Sequence, residues 1–149
     1  MILAEIEAAL AAHLATAPWP AAAPAIHAGA ATGDEVYPRA IAHAAAIRRT
    51  DPVLPLYAAT VTATLQSRFY STNAEQQAGN RGAAAAAHAA LVAVAFDFLR
   101  EDAQTIAALA GLSAIVNAAK FESLQNSVDE KRGLFVAEIE LNLSLFLNN

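Results

Sequence analysis

Gly133-Leu-Phe-Val-Ala-Glu-Ile-Glu-Leu-Asn-Leu-Ser-Leu-Phe-Leu147 decides the fold. Phe135, Ala137, Ile139, Leu141, Leu143, Leu145 and Leu147 fall on one side of an extended chain. Val136, Glu138, Glu140, Asn142, Ser144 and Phe146 fall on the other. A period of two over this length predicts a strand with one dry and one wet face. Just before it, Asp129-Glu130-Lys131-Arg132-Gly133 is polar, charge-balanced and ends in glycine, as a hairpin loop requires. Ser113 to about Val128 reads as the preceding strand, irregular in its middle. The chain is therefore expected to end in a long antiparallel hairpin.

Working back, Tyr57 to Phe69 repeats the alternation. Tyr57, Ala59, Val61, Ala63, Leu65 and Phe69 oppose Thr60, Thr62, Thr64, Gln66 and Arg68. That is another half-buried strand. Pro38 to Arg49 also alternates, through Ile41, His43, Ala45 and Ile47, and reads as strand in preference to helix. Pro24 to Ala28 makes a short edge strand. Gly29, Gly33 and Asp34 mark a turn, and Asp51-Pro52 with Pro55 a connection.

Three helices are expected. Met1 to about Ala15 carries Ile2, Ile6, Leu10 and His13/Leu14 at helical spacing, with Glu5 and Glu7 off that line, and Pro18, Pro20 and Pro24 stop it. Ala83 to Arg100 presents His88, Leu91, Val92, Ala95, Phe98 and Leu99 as an inward stripe. A short helix from about Asp102 to Ala110 is closed by Gly111. Ser71 to Gly82 reads as a polar loop, with Thr72-x-x-Glu75 as a capping box for one helical turn. The expectation is one α+β domain over residues 1–149. In it an antiparallel or mixed sheet carries the N-terminal and central helices on one face.

Composition limits the function. The chain has 149 residues and 56% apolar content, but 41 of those residues are alanine, so large hydrophobics are only half of the apolar set. With no cysteine, a disulfide scaffold, a thiolate metal site and a cysteine nucleophile are excluded. A net charge of −5 with nine basic residues argues against a nucleic-acid-binding surface. The N-terminus has Glu5 and Glu7 where a secretory signal needs a basic start. The apolar run from Ala83 to Leu99 is alanine-rich and contains His88 and Asp97. It falls short of the roughly 20 residues a membrane span needs, and reads as a buried helix.

No catalytic, metal or cofactor site emerges. His13, His27, His43 and His88 are never nearer than fourteen residues, without the close pairs of zinc sites. Glu138 and Glu140 share a strand face about 7 Å apart. They read as a polar face toward a lumen or partner in preference to a glycosidase acid pair. Gly79-Asn80-Arg81-Gly82 precedes the expected helix start, where anions bind, but lacks the P-loop ending. Asp129, Glu130, Lys131, Arg132 and Gly133 at the tip, with Asn80 and Arg81 in the loop, are the candidate subunit contacts. A long hairpin leaves an unpaired edge that must be protected or must pair with a neighbour.

The order of these elements resembles the small neck and tail-terminator proteins of long-tailed bacteriophages and related contractile particles. The resemblance is carried by the N-terminal helix, the strand Tyr57-Ala-Ala-Thr-Val-Thr-Ala-Thr-Leu65, the helix His88-Ala-Ala-Leu-Val-Ala-Val-Ala-Phe-Asp-Phe-Leu99 and the terminal Phe135-Val-Ala-Glu-Ile-Glu-Leu-Asn-Leu143. It covers nearly the whole chain. It implies a non-enzymatic virion protein, assembled in the host cytoplasm, that forms a homo-oligomeric ring, often a hexamer. Such a ring caps the tail tube and joins it to the neck. Its partners would be tube and neck proteins, with DNA passing through and no membrane. The runners-up are another neck or tail-completion component, and a small ligand- or peptide-binding α+β module. An enzyme comes last.

Overall fold

A computed structural model describes residues 2–21, 23–29, 36–69 and 74–147, with only the backbone described for 74–80. The elements run α1 (Ile2–Ala15), β1 (Ala25–Ala28), β2 (Arg39–Arg49), β3 (Leu56–Arg68), α2 (Ala74–Leu99), α3 (Asp102–Ala108), β4 (Ala114–Asp129) and β5 (Leu134–Leu147). The strands form one mixed sheet in the order β1-β2-β3-β5-β4. Only β1 and β2 run parallel; every other pair is antiparallel. The fold is thus α+β, with the expected C-terminal hairpin.

β5 sits between β3 and β4 because its alternation is the strongest in the chain. Ala137, Ile139, Leu141, Leu143 and Leu145 are all buried. On β3 they meet Leu65, Ala63, Val61, Ala59 and Tyr57 in register. The irregularity expected in β4 is two bulges, between Val116 and Ala118 and between Phe121 and Ser123. Each bulge adds a residue and restores the inward parity that the first half would lose.

Alanine shapes the other half of the core. β2 buries Ala40, Ala42 and Ala44, and β3 buries Ala59 and Ala63. These short side chains let α1 lie close to the sheet and insert Ile6, Leu10 and Leu14, which are 0–1% exposed. Ile41 and His43 therefore point away from the core. The single-sided run Ile41, His43, Ala45, Ile47 read from the sequence is broken by a bulge between Ala44 and Ala46, which turns Ile47 back inward opposite Ala59.

Two carboxylates from α1 fasten the chain over long distances. Glu7 Oε2 accepts the Ala44 backbone N–H at 2.9 Å and lies 2.9 Å from His43 Nδ1. It covers the part of the β2 edge that β1, ending at Ala28, leaves open. Glu5 accepts from Ser113 Oγ at 2.6 Å and from the Ser113 N–H at 3.3 Å, fixing the entry to β4. At the C-terminus of α1 the Trp19 indole N–H donates to the Leu14 carbonyl at 2.8 Å, satisfying one of the helix's orphan acceptors.

The central helix corrects the sequence reading. α2 begins at Ala74, so Gly79 and Gly82 lie inside it and do not precede it. Each interior glycine costs about 1 kcal/mol of helix stability relative to alanine. The good helix formers on both sides, Ala74 to Ala78 and Ala83 to Ala87, outweigh that cost. The polar loop expected over Ser71 to Gly82 is therefore helical from Ala74 onward. Thr72 of the capping box, with Gly33 and Asp34 of the expected turn, lies outside the described residues. Gly29 and Gly111 adopt left-handed φ values of +77° and +85° as turn residues.

The helix is also less buried than expected. His88, Leu91, Val92, Ala95 and Leu99 face the core, and half-buried Phe98 stacks on His13 with ring centroids 4.3 Å apart. Ala85, Ala86, Ala87, Ala89, Ala90 and Ala93 remain exposed. By length and composition Arg81–Leu99 is apolar enough to cross a membrane. Most of that apolarity is alanine.

Candidate functional site

Three features stand out, and each follows from how far the helices reach across the sheet. The first is the uncovered outer face. α1 packs on β1 and β2, α2 on β3 and β5, and α3 on β4, and the buried core they share uses one face of the sheet. The centre of the other face is a grid of polar side chains, with Ile41, Val136, Phe146 and Ile115 around it. One row runs Thr64, Glu138, Gln125; the next runs Thr62, Glu140, Ser123; a third runs Thr60, Asn142, Lys120. Thr62, Ser123, Gln125, Glu138 and Glu140 line a shallow dent of about 90 Å³. The two glutamates thus sit together at the centre of an open polar face.

The second feature is the hairpin tip. Asp129 Oδ1 accepts the Arg132 N–H at 3.1 Å, closing the turn, and Gly133 takes a left-handed φ of +67°. Phe69 donates its N–H to the Gly133 carbonyl at 2.8 Å. Glu130 does not point outward alone. The Arg81 guanidinium donates two hydrogen bonds to its carboxylate, at 2.6 and 3.1 Å, and lies 4.6 Å from the Phe69 ring centroid. The structure therefore joins two sequence candidates, Arg81 and Glu130, in one intramolecular clasp between α2 and the tip. Lys131 and Arg132 are exposed beside it. Asn80 lies on α2, away from any helix start.

The third feature is a groove of about 450 Å³ between α2 and β4. It exists because α2 lies over β3 and β5, leaving the inner face of β4 from Leu124 to Val128 half covered. Its walls include Val92 and Phe96 of α2, Leu124 and Val128 of β4, and Phe135 of β5. His88 completes the wall. Ser67 Oγ lies 2.8 Å from His88 Nδ1, and Nε2 is buried with no partner among the described residues. Sequence periodicity placed His88 on the inward stripe, but nothing in the sequence pairs it with Ser67. This contact does not form a hydrolytic triad. Both residues are 7% exposed, and no carboxylate among the described residues orients the imidazole. Among the described residues no three histidine, aspartate or glutamate side chains converge as a metal ion would need.

The titratable groups make stability depend on pH. Burial holds the imidazoles of His13 and His88 below the ordinary 6.5. As the pH falls, the unfolded chain takes up these protons before the folded one does. Stability is then complete above about pH 6.5 and declines as the pH falls below it. A second loss starts below about pH 4.5. The hydrogen bond from Ser113 holds Glu5 below its usual value, and that from Arg81 does the same for Glu130. Denaturation midpoints followed from pH 8 to pH 2 are expected to fall in these two stages. The double variant His13→Leu, His88→Leu is expected to keep only the lower stage. A midpoint unchanged between pH 7 and pH 5 in the unmodified chain contradicts the assignment.

Comparison of the sequence with protein-family models, and with curated proteins, gives no match in either case.

Proposed function

We propose that the chain is a structural virion protein that forms a homo-oligomeric ring at the head-proximal end of a phage tail, capping the tube and joining it to the neck. One observation carries this reading most: the sheet is covered on one face and open on the other, with Glu138 and Glu140 at the centre of the open polar face. Antiparallel sheets commonly leave one face to water; in a ring subunit such a face lines the channel while other surfaces meet the neighbours. The β4 edge and the exposed Lys131 and Arg132 supply surfaces for lateral contact. The acidic face repels phosphates, which favours passage of DNA over adhesion.

A binding module is the second reading, and the α2–β4 groove is the observation that favours it. Solution mass separates the two. Light scattering at high protein concentration is expected to give a closed multiple of 15.5 kDa. Lys131→Glu with Arg132→Glu is expected to lower that multiple. A monomer at every concentration, with the groove occupied by added ligand, favours the module.

A further inference from the structure

We infer that the free edge of β4 pairs with the same edge of a second copy, antiparallel, about a two-fold axis at Asn126. An edge strand presents unpaired backbone N–H and C=O groups, and proteins guard such edges with bulges, charge, proline or short length. The opposite edge of the sheet is guarded. There β1 has only four residues, and beyond it the Glu7 carboxylate takes the Ala44 N–H. The first part of β4 is guarded as well, by its two bulges and by exposed Lys120 and Glu122. From Ser123 to Asp129 the strand then runs along β5 without interruption. Ser123 to Val128 holds no charge and no proline, and Gln125, Asn126, Ser127 and Val128 are exposed.

The order of residues selects a second copy as the occupant. Asn126 is the midpoint of the uninterrupted segment. Turned about it, the segment matches itself: Leu124 meets Val128 of the second copy, Gln125 meets Ser127, Ser123 meets Asp129, and Asn126 meets Asn126. Opposed residues of an antiparallel pair share a face. Apolar side chains therefore meet on the helix-bearing face, where Val128 is 46% exposed in the single chain. Polar ones meet on the open face. The two Asn126 amides, each both donor and acceptor, bond across the axis. Alternate residues of β4 turn their N–H and C=O away from β5. Either alternate set is symmetric about Asn126, so donors and acceptors match. The uncharged segment lets two chains of net charge −5 meet without direct repulsion there. An isologous contact of this kind closes at two copies. It does not depend on the ring proposed above, and a ring that uses it is assembled from such pairs.

Cysteine crosslinking of the full chain, which has no cysteine of its own, tests the register. Asn126→Cys is expected to give a disulfide-linked dimer on mild oxidation, because opposed Cα atoms lie about 4.5–5.5 Å apart, within reach of a disulfide. Val128→Cys is also exposed, but it and its counterpart would lie about 13 Å apart along the strands. It is expected to crosslink only when mixed with Leu124→Cys. Asn126→Lys and Asn126→Asp each oppose like charges on the axis and are each expected to weaken the dimer about tenfold by light scattering. An equimolar mixture of the two is expected to restore it, which no contact between different surfaces would do. A chain that is monomeric at every concentration overturns the pairing, as does Asn126→Cys crosslinking no faster than Val128→Cys. Rings seen together with that slow crosslinking keep the ring and overturn the pairing. A crosslinked dimer that never grows beyond two copies supports the pairing and overturns the ring.

Discussion

Replacing Glu138 and Glu140 together with lysine is expected to convert the assembled protein from one that ignores duplex DNA into one that binds it. Both side chains stand on the open face, in register with Thr64 and Thr62 on β3 and with Gln125 and Ser123 on β4. They lie at the surface of a sheet whose core is on the other side, so the exchange leaves the packing intact. Each subunit changes by four charges, from two acids to two bases. Two new phosphate contacts alone predict a roughly tenfold loss of affinity between about 50 mM and 200 mM salt, and a ring multiplies the number of contacts. Fluorescence anisotropy with a labelled duplex measures both the gain and its salt slope. If the substituted protein shows no affinity at low salt, the open face does not line a channel.

Leu141→Ala is expected to give the largest loss of stability of any single truncation in the sheet. Leu141 is 1% exposed on β5, with Val61 of β3 on one side and Phe121 of β4 on the other. Its side chain therefore bridges the two strongest pairings in the fold and lies under the helical layer. Truncation removes buried apolar surface and leaves a cavity that paired strands on both flanks hold open. The expected loss is about 3 kcal/mol, which lowers the folded-to-unfolded ratio roughly a hundredfold. For a chain of this length that lowers the melting temperature by about 10 °C. Calorimetry checks it. A change below about 1 kcal/mol would mean that the sheet closes around the gap and that β5 is not the rigid centre described here.

Much of this architecture was legible in the sequence, for a definite physical reason. β3 and β5 alternate large apolar residues with Thr, Glu and Asn, so one phase of the strand is much more favourable than the other. The Asp129–Gly133 tip carries its own turn chemistry. β2 was harder. Its buried apolar residues are Ala40, Ala42 and Ala44, and its larger Ile41 points outward. An alanine core gives the alternation little amplitude, and the bulge at Ala44–Ala46 changes its phase. The start of α2 is not legible locally, because Gly79 and Gly82 look like breakers one at a time, whereas the helix responds to the whole run from Ala74 to Leu99. The sequence shows the tip and the Glu138–Glu140 face as residues but not their surroundings. The Arg81–Glu130 clasp spans 49 positions, the Ser67–His88 contact 21, and the groove depends on how far α2 stops short of β4. None of these distances is encoded locally.

Electron microscopy of the purified protein at high concentration tests the proposed ring most directly. Counting the symmetry of negatively stained particles is expected to reveal closed rings with a central hole, six-fold in keeping with the tail-terminator resemblance. Small, featureless particles of monomer or dimer size at every concentration, and equally in the presence of purified tail tubes, would contradict it.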